Sequence, residues 1–416
     1  MIDTATNAVI LPNIGVGSYP YFVAVTPDGK RAYVSNSAAG NVSAIDTTTK
    51  AITATIFVGT TPFGVAVRPG GRYVYVANNA DDTVSVIDTT TNAVAPPITV
   101  GDAPYFIAFA PSGSTAYVTN SSDNTVSILD ATTGAVGDTV TVGATPHGAA
   151  VTPDGSFLYV ANYGDGTVTV VNTSNGSTSS IPVGVNPESV AISPDGKTIY
   201  VSNAHDNTVK VINAATNLVT DTIPVGSYPR GVAFTPDGTR VYVANQTSGN
   251  VSVIDTVTKT VISTVGVGTD PYSVGLQPAP LVFQVFEPTL GFNKITNLYK
   301  LAATFTLGAT SEGIYPLTEP VTLIVGPSAS PSRITIPPRS FKTNNLTGTL
   351  DFTGFIGGAS VTASFKPSAT PLVDGHPTQW SFTATVTRVS VRNFTSPVPV
   401  TLIVGNDYGS KAAPAP

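Results

Sequence analysis

Seven residues stand directly after a recurring proline and differ in kind. Tyr21, Phe63, Tyr105, His147, Glu188, Arg230 and Tyr272 follow Pro20, Pro62, Pro104, Pro146, Pro187, Pro229 and Pro271 at intervals of 41 or 42 residues. A repeat constrained by folding alone tends to hold one residue type at each equivalent place. Three residues further on it does: Ala24, Ala66, Ala108, Ala150, Ala191 and Ala233, with Gly275 last. The variable position is therefore the candidate ligand-binding site. An imidazole, a carboxylate and a guanidinium on consecutive copies could orient a polar or anionic ligand through charge-assisted hydrogen bonds. Tyr21, Phe63, Tyr105 and Tyr272 would face them with flat apolar surface and polar edges. A plainer reading has the same side chains plug a central space and pair with one another. His147 and Glu188 also admit catalysis, the imidazole as general acid or base and the carboxylate orienting it or holding a divalent cation.

The segments between these positions say what must hold them. Residues 61–101 contain four short runs with valine, isoleucine or tyrosine at alternate places, separated by Pro-Gly-Gly, Asn-Asn-Ala-Asp-Asp and Asp-Thr-Thr-Thr-Asn. That pattern predicts four antiparallel strands joined by tight turns. Everything before residue 280 repeats it, and a period of about 40 to 45 residues with four strands per unit indicates propeller blades. Seven copies of the first strand predict seven blades. The chain opens with a third and a fourth strand (Ile2 and Asp3, then residues 8–16) and leaves the repeats on a lone first strand (residues 272–276). Joining the two ends would close the ring and leave no open sheet edge, with residues 281–286 as the missing second strand.

In such a blade, the loops before the first strand and between the second and third lie on one face of the disc. The first strands surround the axis, so the seven variable residues should crowd the mouth of a central channel. The second strand carries Tyr-Val-x-Asn at Tyr33, Tyr75, Tyr117, Tyr159, Tyr200 and Tyr242. Its asparagines are expected to bond backbone at the strand end. Asp46, Asp88, Asp130 and Asp255 head Thr-rich turns as Asx-turn formers. The loops at Asp81, Asp123 and Asp165 offer oxygens to Ca²⁺ without EF-hand spacing. His205 reads as a surface residue and His376 as a turn residue.

Past residue 280 the period vanishes, but alternating strands bounded by Gly and Pro continue. PVTLIVG at residues 320–326 returns at 399–405, which predicts a β-sandwich with an internal duplication over residues 281–410 and a disordered tail over 411–416.

Composition limits the partners. Hydrophobic residues make up 41% and charged residues 11%, with 38 Gly, 34 Pro and no Cys, which suits an all-β, turn-rich chain. The net charge is -6 and no basic cluster occurs, which argues against nucleic acid as a partner. No apolar run is long enough for a spanning helix, and no signal peptide stands at Met1. Without cysteine there is no disulfide framework, thiolate metal site or thiol nucleophile. No P-loop, dinucleotide fingerprint, nucleophile elbow or haem motif is present, so no cofactor and no metal is expected.

Six Tyr-Val-x-Asn tetrads at this period, with TPDG and VIDT around them, resemble the YVTN-repeat β-propellers, the group containing archaeal surface-layer propellers and related exported bacterial proteins. The resemblance covers residues 1–280. It implies an extracellular, cell-surface or periplasmic protein, with other surface proteins or glycans as partners. The resulting expectation is a non-catalytic binding or structural module whose ligand or partner sits at the channel mouth. The alternatives are a propeller lyase or lactonase using His147 and Glu188, and a self-assembling surface-layer or filament component.

Overall fold

In the computed structural model, residues 1–276 are described with their side chains. Beyond them the description covers the strand paths 283–293, 298–307, 321–325, 332–336, 342–344, 349–356, 359–367, 372–373, 376–377, 379–387, 398–404 and 407–413. Two compact units divide the chain, Met1–Pro278 and Ala279–Pro416.

The first unit contains six complete four-stranded antiparallel sheets, each one repeat long. Blade one comprises Pro20–Val25, Arg31–Asn36, Asn41–Asp46 and Ala51–Phe57. Blades two to six repeat that order, beginning at Pro62–Val67, Pro104–Phe109, Pro146–Val151, Pro187–Ile192 and Pro229–Phe234. Successive first strands lie side by side. Both faces of the second strands are buried, because each sheet is packed between two others: Val74, Val76 and Ala77 are 0% exposed and Tyr75 2%. Withdrawing each large apolar side chain from water contributes about 1.5–3 kcal/mol. The core is thus a series of inter-blade layers, such as Tyr33, Val42 and Ile56 of blade one against Val65, Val74 and Ile87 of blade two. Fourth strands form the solvated rim, as Val136–Thr141 illustrates with almost every residue exposed.

The seventh position is filled from both ends of the unit. Gly231 N–H donates to the Tyr272 carbonyl (2.9 Å), and Val23 N–H donates to Ser273 Oγ (3.1 Å). Residues 272–276 therefore run between the first strands of blades six and one. Gly275 replaces alanine here because a Cβ would lie 3.0 Å from Val23 Cγ1 and 3.1 Å from its carbonyl oxygen. Ile2–Asp3 and Ala8–Val9 form a two-stranded hairpin whose Asn7 accepts from the Tyr242 hydroxyl at 2.8 Å, as Asn217 of blade five accepts from Tyr159 at 2.9 Å. The hairpin thus stands in the third-and-fourth-strand place of a seventh blade. The proposed second strand does not: Phe283–Asn293 pairs with Leu298–Leu307 instead, while Leu281 and Val282 lie outside the described residues. Among the described residues no ladder joins 272–276 to the hairpin.

The second unit has a six-stranded and a four-stranded antiparallel sheet and a small two-stranded one. The duplicated motif supplies Val321–Val325 and Val398–Val404, which pair with each other about Leu323↔Leu402. Asp407–Ala413 is a strand that takes in the first three residues of the expected disordered tail, and 414–416 lie outside the described residues. His376 falls in the short strand His376–Pro377 rather than a turn.

Candidate functional site

Each first strand has one residue too many for its neighbour. In blade three Pro104 pairs with Asn120 and Phe106 with Thr119, leaving Tyr105 unpaired; in blade five Pro187 pairs with Asn203 and Ser189 with Ser202, leaving Glu188 unpaired. The same shift follows the proline in blades one, two, four and six. A bulge of this kind re-aims the extra side chain, here toward the axis.

The turn before each proline is strained in the same way. Tyr19, Thr61, Ala103, Thr145, Asn186, Tyr228 and Asp270 all have φ between 51° and 58°, a region that costs a non-glycine residue about 1–3 kcal/mol. Loop side chains hold several of these turns. Asp82 Oδ1 accepts from Ala103 N–H, and Asn124 and Asn207 do the same for Thr145 and Tyr228, each at 2.8 Å. Asp81, Asp123 and Asp165 accept from Thr60, Asp102 and Ala144 N–H at 2.6, 2.7 and 2.5 Å. The loop carboxylates are thus engaged by backbone. Among the described residues no three His, Asp or Glu side chains gather as a metal site.

All seven variable residues meet. Glu188, 3% exposed, is the hub. Its Oε1 accepts from the Tyr105 hydroxyl (2.7 Å) and lies 3.4 Å from that of Tyr272, while Oε2 accepts from Arg230 Nη1 (2.7 Å) and faces His147 Nδ1 (3.2 Å). The Tyr105 and Tyr272 hydroxyls are 2.8 Å apart, Tyr21 is 3.1 Å from Tyr105, and Tyr21 also bonds Tyr272. One proton per hydroxyl is satisfied by a relay in which Tyr21 donates to Tyr272, Tyr272 to Tyr105, and Tyr105 to Glu188. Phe63 stacks on Tyr21 at 4.2 Å and His147 on Tyr105 at 3.9 Å; the Arg230 guanidinium lies 4.5 Å from the Tyr272 ring centre.

Electrostatics follow from that packing. Burial pushes the Glu188 carboxyl up, but the His147 bond, the Arg230 charge and the Tyr105 hydroxyl outweigh it and hold the group below the ordinary carboxylate range. Burial raises the Tyr105 and Tyr272 hydroxyls, and the Glu188 charge adds to it. Burial works against the charge on Arg230, but the Glu188 carboxylate prevails and raises it. The hub is an ionised pair with neutral phenols around it.

A second tier was not identified from sequence. The Tyr163 ring stacks on His147 at 4.6 Å, and its hydroxyl meets that of Tyr228 at 3.1 Å. Burial and the Tyr228 bond push the Tyr163 phenol up to about 12. Arg230 lies 4.5 Å from the Tyr228 ring centre and donates from Nε to Gln246 at 2.9 Å. His205, exposed as expected, packs edge-on against Tyr228 at 5.1 Å. Tyr163 and Gln246 each follow the asparagine of Tyr-Val-x-Asn, where other copies have Ser37, Asn79, Ser121 and Ala204. That position varies as the mouth residues do, which is the signal that could have found it.

The Tyr-Val-x-Asn asparagines are structural, but their partners differ from expectation. Asn120 Nδ2 donates to Thr125 Oγ1 (3.0 Å) and Ser127 Oγ (2.9 Å); blades two and four repeat the pattern, and in blades one and six the amide oxygens of Asn41 and Asn250 stand in for the first hydroxyl. Two of the six bond backbone: Asn78 Oδ1 accepts from Gly59 N–H (3.1 Å), and Asn203 Nδ2 donates to the Val183 carbonyl (3.2 Å) where Lys210 replaces the second hydroxyl. Asp46, Asp130 and Asp255 each accept two turn N–H groups through Oδ1 and Asp88 accepts one, so all four form the expected Asx turns.

Residues 87–186 and 179–261 match the family described as "Lactonase, 7-bladed beta-propeller". No curated protein matches the chain. Among solved structures, hydrazine synthase of Kuenenia stuttgartiensis is similar at 24% identity and a TM-score of 0.58, over 66% of this chain and 95% of that one. A functionally unknown protein from Desulfotomaculum acetoxidans is similar at 19% identity and a TM-score of 0.57, over the same shares. At these identities the likeness concerns the fold. Six four-stranded blades, the seventh position filled from both ends of the unit, and these matches make the protein a β-propeller.

Proposed function

We propose that the protein is an exported or cell-surface binding module, without turnover, whose small ligand seats on the propeller mouth over Glu188. The observation that carries this reading is convergence. Seven positions that differ from copy to copy, together with Tyr163 and Tyr228, form one prearranged cluster, and prearranged polar groups in an aromatic surround are what a small-molecule site needs. Surface proteins and glycans are the partners this placement suits. The test is a glycan and small-molecule binding screen on the full chain, repeated with Tyr105→Ala and Arg230→Ala. Hits should weaken by tenfold or more, roughly the worth of one charge-assisted hydrogen bond. Hits indifferent to both changes would remove the mouth as the site.

One observation favours a second reading. His147 Nδ1 is held by Glu188, while Nε2 has no protein partner among the described residues and the side chain is 11% exposed. A carboxylate-oriented imidazole with a free nitrogen can take a proton from water attacking a lactone carbonyl and return it to the departing alkoxide. The matched family's name agrees with that chemistry. Lactone hydrolysis abolished by His147→Ala would establish it; no hydrolysis across a panel of five- and six-membered lactones would remove it.

A further inference from the structure

We infer that the ligand class of this mouth is a small hydroxycarboxylate, its carboxylate on Nη2 of Arg230 and its hydroxyl on Nε2 of His147. This rests on the mouth being a binding site at all.

Glu188 is already supplied. Four protein groups surround its two oxygens, so an incoming cation would have to displace Arg230 and gain nothing from a carboxylate already neutralised. The unspent capacity lies elsewhere. Arg230 uses Nη1 on Glu188 and Nε on Gln246. Its Nη2 makes no hydrogen bond among the described residues, and the side chain is 14% exposed. A guanidinium nitrogen with unengaged N–H groups takes a carboxylate. His147 is complementary. A carboxylate oxygen only accepts, so in the neutral ring the proton sits on Nδ1 facing Oε2, and Nε2 keeps its lone pair. That lone pair takes an O–H donor.

The two side chains are neighbours. Nη1 of Arg230 and Nδ1 of His147 bond the same oxygen of Glu188. Tyr163 covers the imidazole and Tyr228 covers the guanidinium, and their hydroxyls bond each other. Stacking between Tyr105 and Tyr163 fixes the imidazole, and rings at 4.5 Å on two sides fix the guanidinium. A ligand offering only a carboxylate leaves the Nε2 lone pair unused, and one offering only a hydroxyl leaves the guanidinium edge unused.

The experiment uses the full chain with lactate, propanoate (no hydroxyl) and lactamide (no charge) as matched probes. Binding is followed by titration calorimetry and by the ¹⁵N shifts of the histidine rings, which are only three in this sequence. Lactate should move the His147 Nε2 signal, and propanoate and lactamide should each bind about tenfold more weakly, the loss of one hydrogen bond to a charged or preoriented group. His147→Gln and Arg230→Lys should each weaken lactate similarly, and the wild-type shift measurement stands even if a variant folds poorly. Equal binding of the three probes overturns the inference, as does lactate binding that leaves His147 unmoved. Another compound that moves His147 where lactate does not would overturn this class while keeping the mouth; if no compound moves it, both fall.

Discussion

Blades one, three and five and blades two, four and six share the same strands, yet they contribute differently. The odd blades read Tyr-Val-Ser/Thr-Asn and the even ones Tyr-Val-Ala-Asn. The odd hydroxyls, Ser35, Thr119 and Ser202, each donate to the carbonyl of the next even blade's mouth residue, Phe63, His147 or Arg230. They also accept from the first strand of their own blade, at Phe22, Phe106 and Ser189. The even blades answer with Gly64, Gly148 and Gly231, where a Cβ would lie 2.7–2.8 Å from the following odd strand or seventh segment. Consequently the hydroxyl relay and its carboxylate, Tyr21, Tyr105, Tyr272 and Glu188, all come from odd positions. Phe63, His147 and Arg230, from even ones, pack around it. Blades alike in strand physics are therefore specialised by the contacts between them.

The largest test strikes the odd hub. Glu188→Ala leaves a buried guanidinium and a phenol relay without their acceptor and should cost about 3–5 kcal/mol in urea unfolding; a loss of about 1 kcal/mol or less would mean the hub is solvated packing. Next comes Gly148→Ala, whose added Cβ would sit 2.8 Å from Ser189 Cα and 2.9 Å from the Glu188 carbonyl oxygen and should cost about 1–3 kcal/mol. Ser189→Ala, at the matching odd position, should cost far less. Ser202→Ala removes one donor and one acceptor and should cost about 1 kcal/mol, whereas Ala161→Ser, the reciprocal change, should not stabilise. Equal effects in both blade types would dissolve the distinction. The mildest probe is pH. Glu188 titrates in the folded protein below its ordinary value of 4.5, so its contribution is complete above that value and lost as pH falls through the folded one. Exposed Asp46, Asp130 and Asp255, lowered chiefly by backbone N–H bonds, shift the same way. The urea midpoint should fall on acidification, and Glu188→Gln should flatten part of that slope.

Much of this was legible in the chain. Pro-x-Gly and Asp-Thr-Thr turns and alternating valines fix four strands per repeat because these signals are local. The seven mouth residues were found because a fold-only repeat has no reason to place His147, Glu188 and Arg230 where other copies have aromatics. Tyr163 and Tyr228 were not found, since loop residues vary for many reasons and only a partner in space distinguishes one from another. The expectation of backbone partners for the asparagines held at Asn78 and Asn203 and not at the other four for a related reason: side-chain oxygens five and seven residues ahead come within reach only when the second and third strands pair.

The sequence by itself determined the blade, its period and the ring of positions aimed at the axis, because strand alternation, proline and turn chemistry act over a few residues. Only the tertiary structure decided that Glu188 gathers Tyr105, His147, Arg230 and Tyr272 from four other turns of the ring. It also decided that, among the described residues, His147 Nε2 and Arg230 Nη2 have no hydrogen-bond partner. Those outcomes depend on distances between residues 40 to 170 apart in the chain, and closure of the ring alone sets such distances.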